Sequence, residues 1–136
     1  MSGQPGVSGP GPGEGAGEAR VVPKPWGHEL IWVNTDKYVG KILVIEAGKR
    51  LSMQYHRKKD ESIYVLSGRL RLHLEDDAGT IVVRDLGPGE FARVPVGRRH
   101  RYEGVERVEV MEVSTPELDD VVRLDDDYGR EGTSEP

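Results

Sequence analysis

Between Tyr38 and Ser114 the chain is a succession of short apolar runs, each cut by glycine, proline or paired acids before it could build a long helix. The clearest is residues 69–75, RLRLHLE, where Leu70, Leu72 and Leu74 alternate with Arg69, Arg71 and His73. Successive strand side chains point to opposite faces, so the leucines read as inward and the polar set as water-facing. Asp76-Asp77-Ala78-Gly79 turns the chain into TIVVRDL, and Gly87-Pro88-Gly89 turns it again. Residues 38–47, 51–56, 61–67, 91–94 and 107–114 read as further strands. Eight to ten short strands about ten residues apart, with almost no helical period, predict an all-β sandwich or barrel. Thr115-Pro116-Glu117 reads as a capped turn able to open a short helix.

The length of 136 residues suits one domain. Residues 1–20 are rich in glycine and proline, and after Met1 Val7 is the only sizeable apolar side chain. Such a stretch buries too little surface to offset its ordering entropy, so a flexible tail is expected, followed by a domain over 21–130 and a loose end over 131–136. No signal-peptide core and no apolar run of membrane-spanning length is present, so a cytoplasmic location without membrane contact is expected. Cysteine is absent, which excludes disulfides, thiolate metal sites and cysteine nucleophiles together. The net charge of −5 argues against nucleic acid as a partner. The positive charge is concentrated in Arg57-Lys58-Lys59 and Arg98-Arg99-His100-Arg101, whereas the chain from Glu117 onward is acidic.

Both basic blocks flank candidate metal ligands. Gln54 and His56 are two residues apart on a strand and share a face. Glu61 follows after a charged turn and opens the next apolar run, which reads as the antiparallel partner. Facing side chains on such a pair lie about 5 Å apart, close enough to share one ion, with His100 as the fourth donor. Two imidazoles, one carboxylate and one amide oxygen suit a single divalent Zn, Mn, Fe, Co or Ni ion. With one anionic ligand such an ion stays electrophilic, able to polarise a carbonyl or acidify a water. The alternative is a hydrogen-bonded polar cluster without metal.

In residues 107–114, alternation puts Val108, Val110 and Glu112 on one face. If that face is interior, Glu112 is a costly buried carboxylate and a candidate proton-transferring base with a raised pKa. If Met111 and Val113 face the core instead, Glu112 is exposed. Lys59, two residues before Glu61, is a candidate pocket cation. Arg101 follows His100 and should point outward, and Arg50 could reach the cavity mouth. Tyr64 and Tyr102 are either core aromatics or hydroxyls lining the cavity. Residues 21–32, VVPKPWGHELIW, read as an extended arm packing Trp26 and Trp32 on the domain, with Trp26 as a lid on the core.

Residues 48–68 resemble the first signature of the cupin family: glycine, five residues, a ligand, one residue, histidine, then glutamate and a closing glycine. Residues 89–104, GEFARVPVGRRHRYEG, resemble the second, except that Gly104 stands where the family has asparagine. The resemblance implies a jelly-roll barrel, the cupin double-stranded β-helix, with one metal held by Gln54, His56, Glu61 and His100. KPWGHE, GKRLSMQYH and DDVVRLDDDYGR are similar, more narrowly, to the isomerase domain of type II mannose-6-phosphate isomerases. In those chains the domain follows a guanylyltransferase, which has no counterpart here and whose activity is not expected. Lys59 stands where those isomerases have an arginine, and Ser62-Ile63 replace their His-Trp. Arg123 and Arg130 align with their C-terminal arginines. The resemblance implies a metal-dependent aldose–ketose isomerase in which Glu112 or a metal-bound water moves a proton through an enediol. Lys59 with Arg123 or Arg130 would hold the anionic or phosphorylated end of a small-molecule substrate, with Arg50 and Tyr64 as further contacts. A homodimer is expected. The alternatives are another metal-dependent cupin reaction, such as dioxygenation or lyase chemistry, and a binding module without turnover.

Overall fold

Alternating β-branched and aliphatic residues pair into two sheets wherever a turn returns the chain on itself. The structure, a computed structural model, describes residues 15–117 and 119–134, so most of the expected N-terminal tail lies outside the described residues. Among the described residues there are twelve strands and no helix. In chain order they are β1 (Arg20–Lys24), β2 (Gly27–Asn34), β3 (Val39–Ile45), β4 (Met53–Tyr55), β5 (Glu61–Ser67) and β6 (Leu70–Glu75). Then come β7 (Ile81–Leu86), β8 (Phe91–Val94), β9 (His100–Gly104), β10 (Val108–Ser114), β11 (Val121–Asp125) and β12 (Gly132–Ser134). One sheet runs β1-β2-β3-β10-β5-β8 and the other β12-β11-β4-β9-β6-β7. All pairings between the strands are antiparallel, and the two sheets face each other as a jelly roll.

The interior follows from alternation. Leu43 and Ile45 of β3, Val108 and Val110 of β10, and Ile63 and Val65 of β5 meet Leu70 and Leu72 of β6, Leu86 of β7 and Tyr102 of β9. This core fills one end of the barrel. At the other end the same inner rows carry Lys41, Glu112 and Glu61, and there the candidate metal centre lies.

Two glycines set how closely the strands connect. Gly68 has φ +81°, and a Cβ on it would lie 2.0 Å from the carbonyl oxygen of Arg107. Gly27, at φ +150°, would bring a Cβ to 1.9 Å from Val44 O. Gly68→Ala therefore meets both a disfavoured backbone region and a backbone atom that cannot yield. It is expected to lower the unfolding free energy by about 2–4 kcal/mol, read as a lower urea midpoint at unchanged slope.

Several sequence expectations change. The segment expected as a loose end supplies β12, which pairs with β11 through Val121↔Ser134 and Arg123↔Gly132. Thr115–Glu117 forms a turn and opens no helix, with the Thr115 hydroxyl donating to Glu117 (2.6 Å). Trp26 is fully in the core, while Trp32 stays 52 % exposed on the outer sheet face and donates Nε1–H to Met111 Sδ. Arg101 does lie on the opposite side of β9 from His100, but it is buried. Its Nε and Nη2 donate to the carbonyls of Leu51 (2.9 Å) and Asp125 (3.0 Å), so loop and β11 backbone cover it.

Candidate metal centre

The register of β4, β9 and β5 assembles the centre. Gln54 pairs directly with His100, and His56 immediately follows β4. Glu61 comes from the opposite sheet, at the start of β5, so the donors converge between the layers. His56 Nε2 lies 2.9 Å from Glu61 Oε1, and His100 Nε2 lies 3.9 Å from Glu61 Oε2. The ligand atoms of the three residues fall within 4.8 Å of one another, and all three side chains are buried. Gln54 lines a cavity together with His56, and its Oε1 accepts from Ser52 Oγ (2.6 Å).

The hydrogen-bond partners fix which atoms face inward. His56 Nδ1 meets the carbonyl of Asp120 (2.5 Å) and His100 Nδ1 meets that of Arg98 (2.9 Å). A carbonyl only accepts, so each Nδ1 carries a proton and each ring turns Nε2 toward Glu61. Burial lowers the His100 pKa to about 4 against the pull of Glu61, so that ring is neutral at pH 7. His56 Nε2, His100 Nε2 and Glu61 Oε1 are buried without a hydrogen-bond partner, the 2.9 Å contact being misaligned for one. These converging atoms are left without a hydrogen bond, although Lys59 Nζ stands 3.3 Å from Glu61 Oε1, and a cation among them would satisfy all three. The donor set fits a divalent ion by this test.

Charged neighbours support Glu61. Burial would raise its carboxyl pKa, but Lys59, then the contacts with His56 and His100, hold it well below the usual carboxylate range. Lys59 Nζ lies 3.3 Å from Glu61 Oε1 and 3.1 Å from Glu112 Oε2, and Tyr102 donates its hydroxyl to Glu61 Oε2 (2.5 Å). Burial would lower the Lys59 pKa, yet Glu112 and Glu61 together raise it. Glu112 is raised, first by burial and then by Glu61, with Lys59 opposing. Beside Glu112 on the same sheet, Lys41 Nζ meets Glu29 Oε1 at 3.3 Å, and Lys41 faces Glu112 in register.

A cavity of about 40 Å³ is lined by Gln54, His56, Lys59, Glu112, Lys41 and Glu29, and also by Lys24, Arg123 and Arg130. Arg123 is the register partner of Gln54, so His100, Gln54 and Arg123 form one row across three strands. Arg130 is gripped by Asp126 through Nε (2.9 Å) and Nη2 (3.0 Å). Burial, then the proximity of Arg130, lowers the Arg123 pKa; Lys24 is lowered by burial, partly offset by Glu29. The outer end of the cavity is thus cationic.

The structure brings together His56, Glu61, His100, Gln54, Lys59, Glu112, Arg123 and Arg130, and it excludes two expected contacts. Tyr64 points outward and is 47 % exposed, because Ile63 and Val65 on either side take the inner face of β5. Arg50 does not line the cavity; its Nε and Nη2 grip the Asp127 carboxylate at 2.7 and 2.9 Å. Lys59 is in the cavity, but its charge is held between two glutamates of the protein. The sequence reading passed over Lys24, Glu29, Lys41 and Asp120. Lys41 was findable, since it shares the alternate set Val39, Lys41, Leu43, Ile45 with three core residues.

Residues 41–114 match the family model described as "Cupin domain". The mannose-1-phosphate guanylyltransferase of Escherichia coli K12 is 32 % identical over 116 residues, which are 82 % of this chain and 23 % of that protein. The chain therefore spans about a quarter of the length of such relatives. Among solved structures, KdgF from a Halomonas species aligns with a TM-score of 0.62 at 21 % identity, over 68 % of this chain and 82 % of that one. Oxalate decarboxylase from Bacillus subtilis aligns at 0.68 and 16 % identity, over 78 % and 30 %. The matched span runs from β3 through β10 and contains every donor that faces into the centre, so this chain belongs to the cupin family.

Proposed function

We propose that the chain is a metal-dependent aldose–ketose isomerase acting on a phosphorylated sugar similar to mannose-6-phosphate. The observation that carries this reading is a buried carboxylate, Glu112, held 3.1 Å from Lys59, which also touches the candidate metal ligand Glu61. Gln54, His56, Glu61 and His100 would hold the ion. When bound, it would polarise the substrate oxygens at the carbons between which the carbonyl moves.

The chain's own residues supply the remainder. Glu112 takes the proton from one carbon and returns it to the neighbouring one, its raised pKa making it the better acceptor. Lys59 opposes the rise that burial imposes on the Glu112 pKa and stabilises negative charge arising beside it. Arg123, Arg130 and Lys24 receive the phosphate. Arg123 stands two strand spacings from His100, about 10 Å, a span suited to a phosphate at the far end of the sugar from the reacting carbons. Match to chains named guanylyltransferase over 23 % of their length agrees with the isomerase-domain likeness of the sequence.

The test loads the protein with metal, confirms one ion per chain by elemental analysis, and follows mannose-, fructose- and glucose-6-phosphate by ¹H NMR. Interconversion of mannose- and fructose-6-phosphate is expected. Full loading with no interconversion rejects the isomerase reading and leaves the metal centre standing.

A further inference from the structure

Asp120 spends both of its acceptor groups on the segment that joins two candidate ligands. Its carboxylate accepts the consecutive backbone N–H groups of Arg57 (3.0 Å), Lys58 (2.6 Å) and Lys59 (2.9 Å). Successive N–H groups turned to one side form a concavity for an anion, and here a side chain from more than sixty residues away fills it. The carbonyl of the same residue meets Nδ1 of His56 (2.5 Å). His56 directly precedes the three donors, and Glu61 follows them by two residues. A second clasp lies alongside: Asp60 N–H donates to Thr115 Oγ1 and Thr115 N–H to the Asp60 carbonyl, both at 3.0 Å. The loop between His56 and Glu61 is therefore held in place by Thr115 and Asp120.

We infer that Asp120 is the positioning residue of the metal centre. Its carboxylate locks the loop, and that lock holds its carbonyl against His56, fixing the tautomer and the aim of Nε2 relative to Glu61. Hydrogen bonds to a charged acceptor are the stronger kind. An outer partner of a ligating histidine typically governs 10–100-fold in metal affinity. The inference rests on the metal reading given above, and it is independent of the reaction catalysed.

The test uses Co²⁺ as probe, reading its dissociation constant and visible d–d spectrum in the full chain, in Asp120→Ala and in Asp120→Asn. Asp85→Asn, which breaks an exposed ion pair with Arg71, is the control. Asp120→Ala is expected to weaken Co²⁺ binding about 10–100-fold and to shift the bands. Asp120→Asn, which keeps one acceptor oxygen, should fall between it and the parent, and Asp85→Asn should match the parent. If Asp120→Ala does not fold, the Asn variant decides. Parental affinity and bands in a folded Asp120 variant, even one of lower thermal midpoint, overturn the inference, because a merely structural residue would behave that way. Failure of the parent to take up Co²⁺ overturns both this inference and the metal centre.

Discussion

Glu61→Gln is expected to abolish metal loading while leaving a folded protein. Glu61 is the only anion among the four candidate donors, and its two oxygens face both histidines. Replacing it removes the charge that offsets an ion's desolvation. The loss should exceed the 10–100-fold typical of an outer-partner change. The metal-free fold should suffer less. A glutamine amide can donate to His56 Nε2, which has no partner as it stands, and Lys59 keeps Glu112 at 3.1 Å. The measurement is the thermal midpoint with and without metal. At a hundredfold excess of metal over its dissociation constant the parent gains about 2.7 kcal/mol. Glu61→Gln should gain none. A variant still stabilised to the parental extent would place the ion elsewhere.

The second large effect concerns turnover alone. Glu112→Gln retains volume and the contact with Lys59 but cannot carry a proton. Under the isomerase reading it should lower kcat by about 10²–10⁴-fold, with metal content unchanged and KM moved little. Parental turnover in this variant would remove Glu112 from the chemistry. Loss of metal together with activity would make it a support for Glu61 instead. Metal analysis beside the kinetics separates these outcomes.

The architecture was legible because its causes are local. Turns at Gly79 and Gly89 and the alternation of residues 69–75 mark strands without any tertiary information, and β6 carries Leu70 and Leu72 inward as its pattern requires. The candidate donors stood out for the same reason: Gln54, His56, Glu61 and His100 sit at fixed offsets from glycines that close turns, and the fold brings His56, Glu61 and His100 together. Glu112 was open, since Val108-Val110-Glu112 and Met111-Val113 are both plausible inner sets until β10 is known to lie between β3 and β5. Tyr64 went astray although Ile63 and Val65 already claimed the inner face of its strand. Asp120 was invisible because its role depends on a meeting across more than sixty residues, which no local pattern encodes. Gly104, the departure from the family's asparagine, has a steric cause. A Cβ there would sit 2.8 Å from Glu46 O and 3.0 Å from Glu106 O, so the local path of the backbone excludes a side chain.

One half of the barrel is built unlike the other. Glu29, Lys41, Glu61 and Glu112 lie buried on one sheet, with Lys59 buried beside them from the loop before β5, where aliphatic residues of like volume would pack without desolvation cost. Refilling that half with leucine and methionine should give a tougher, hotter-melting protein with nothing to offer a substrate. Under the isomerase reading, the molecule accepts a standing handicap in robustness in exchange for a wet chemistry kept inside a dry wall.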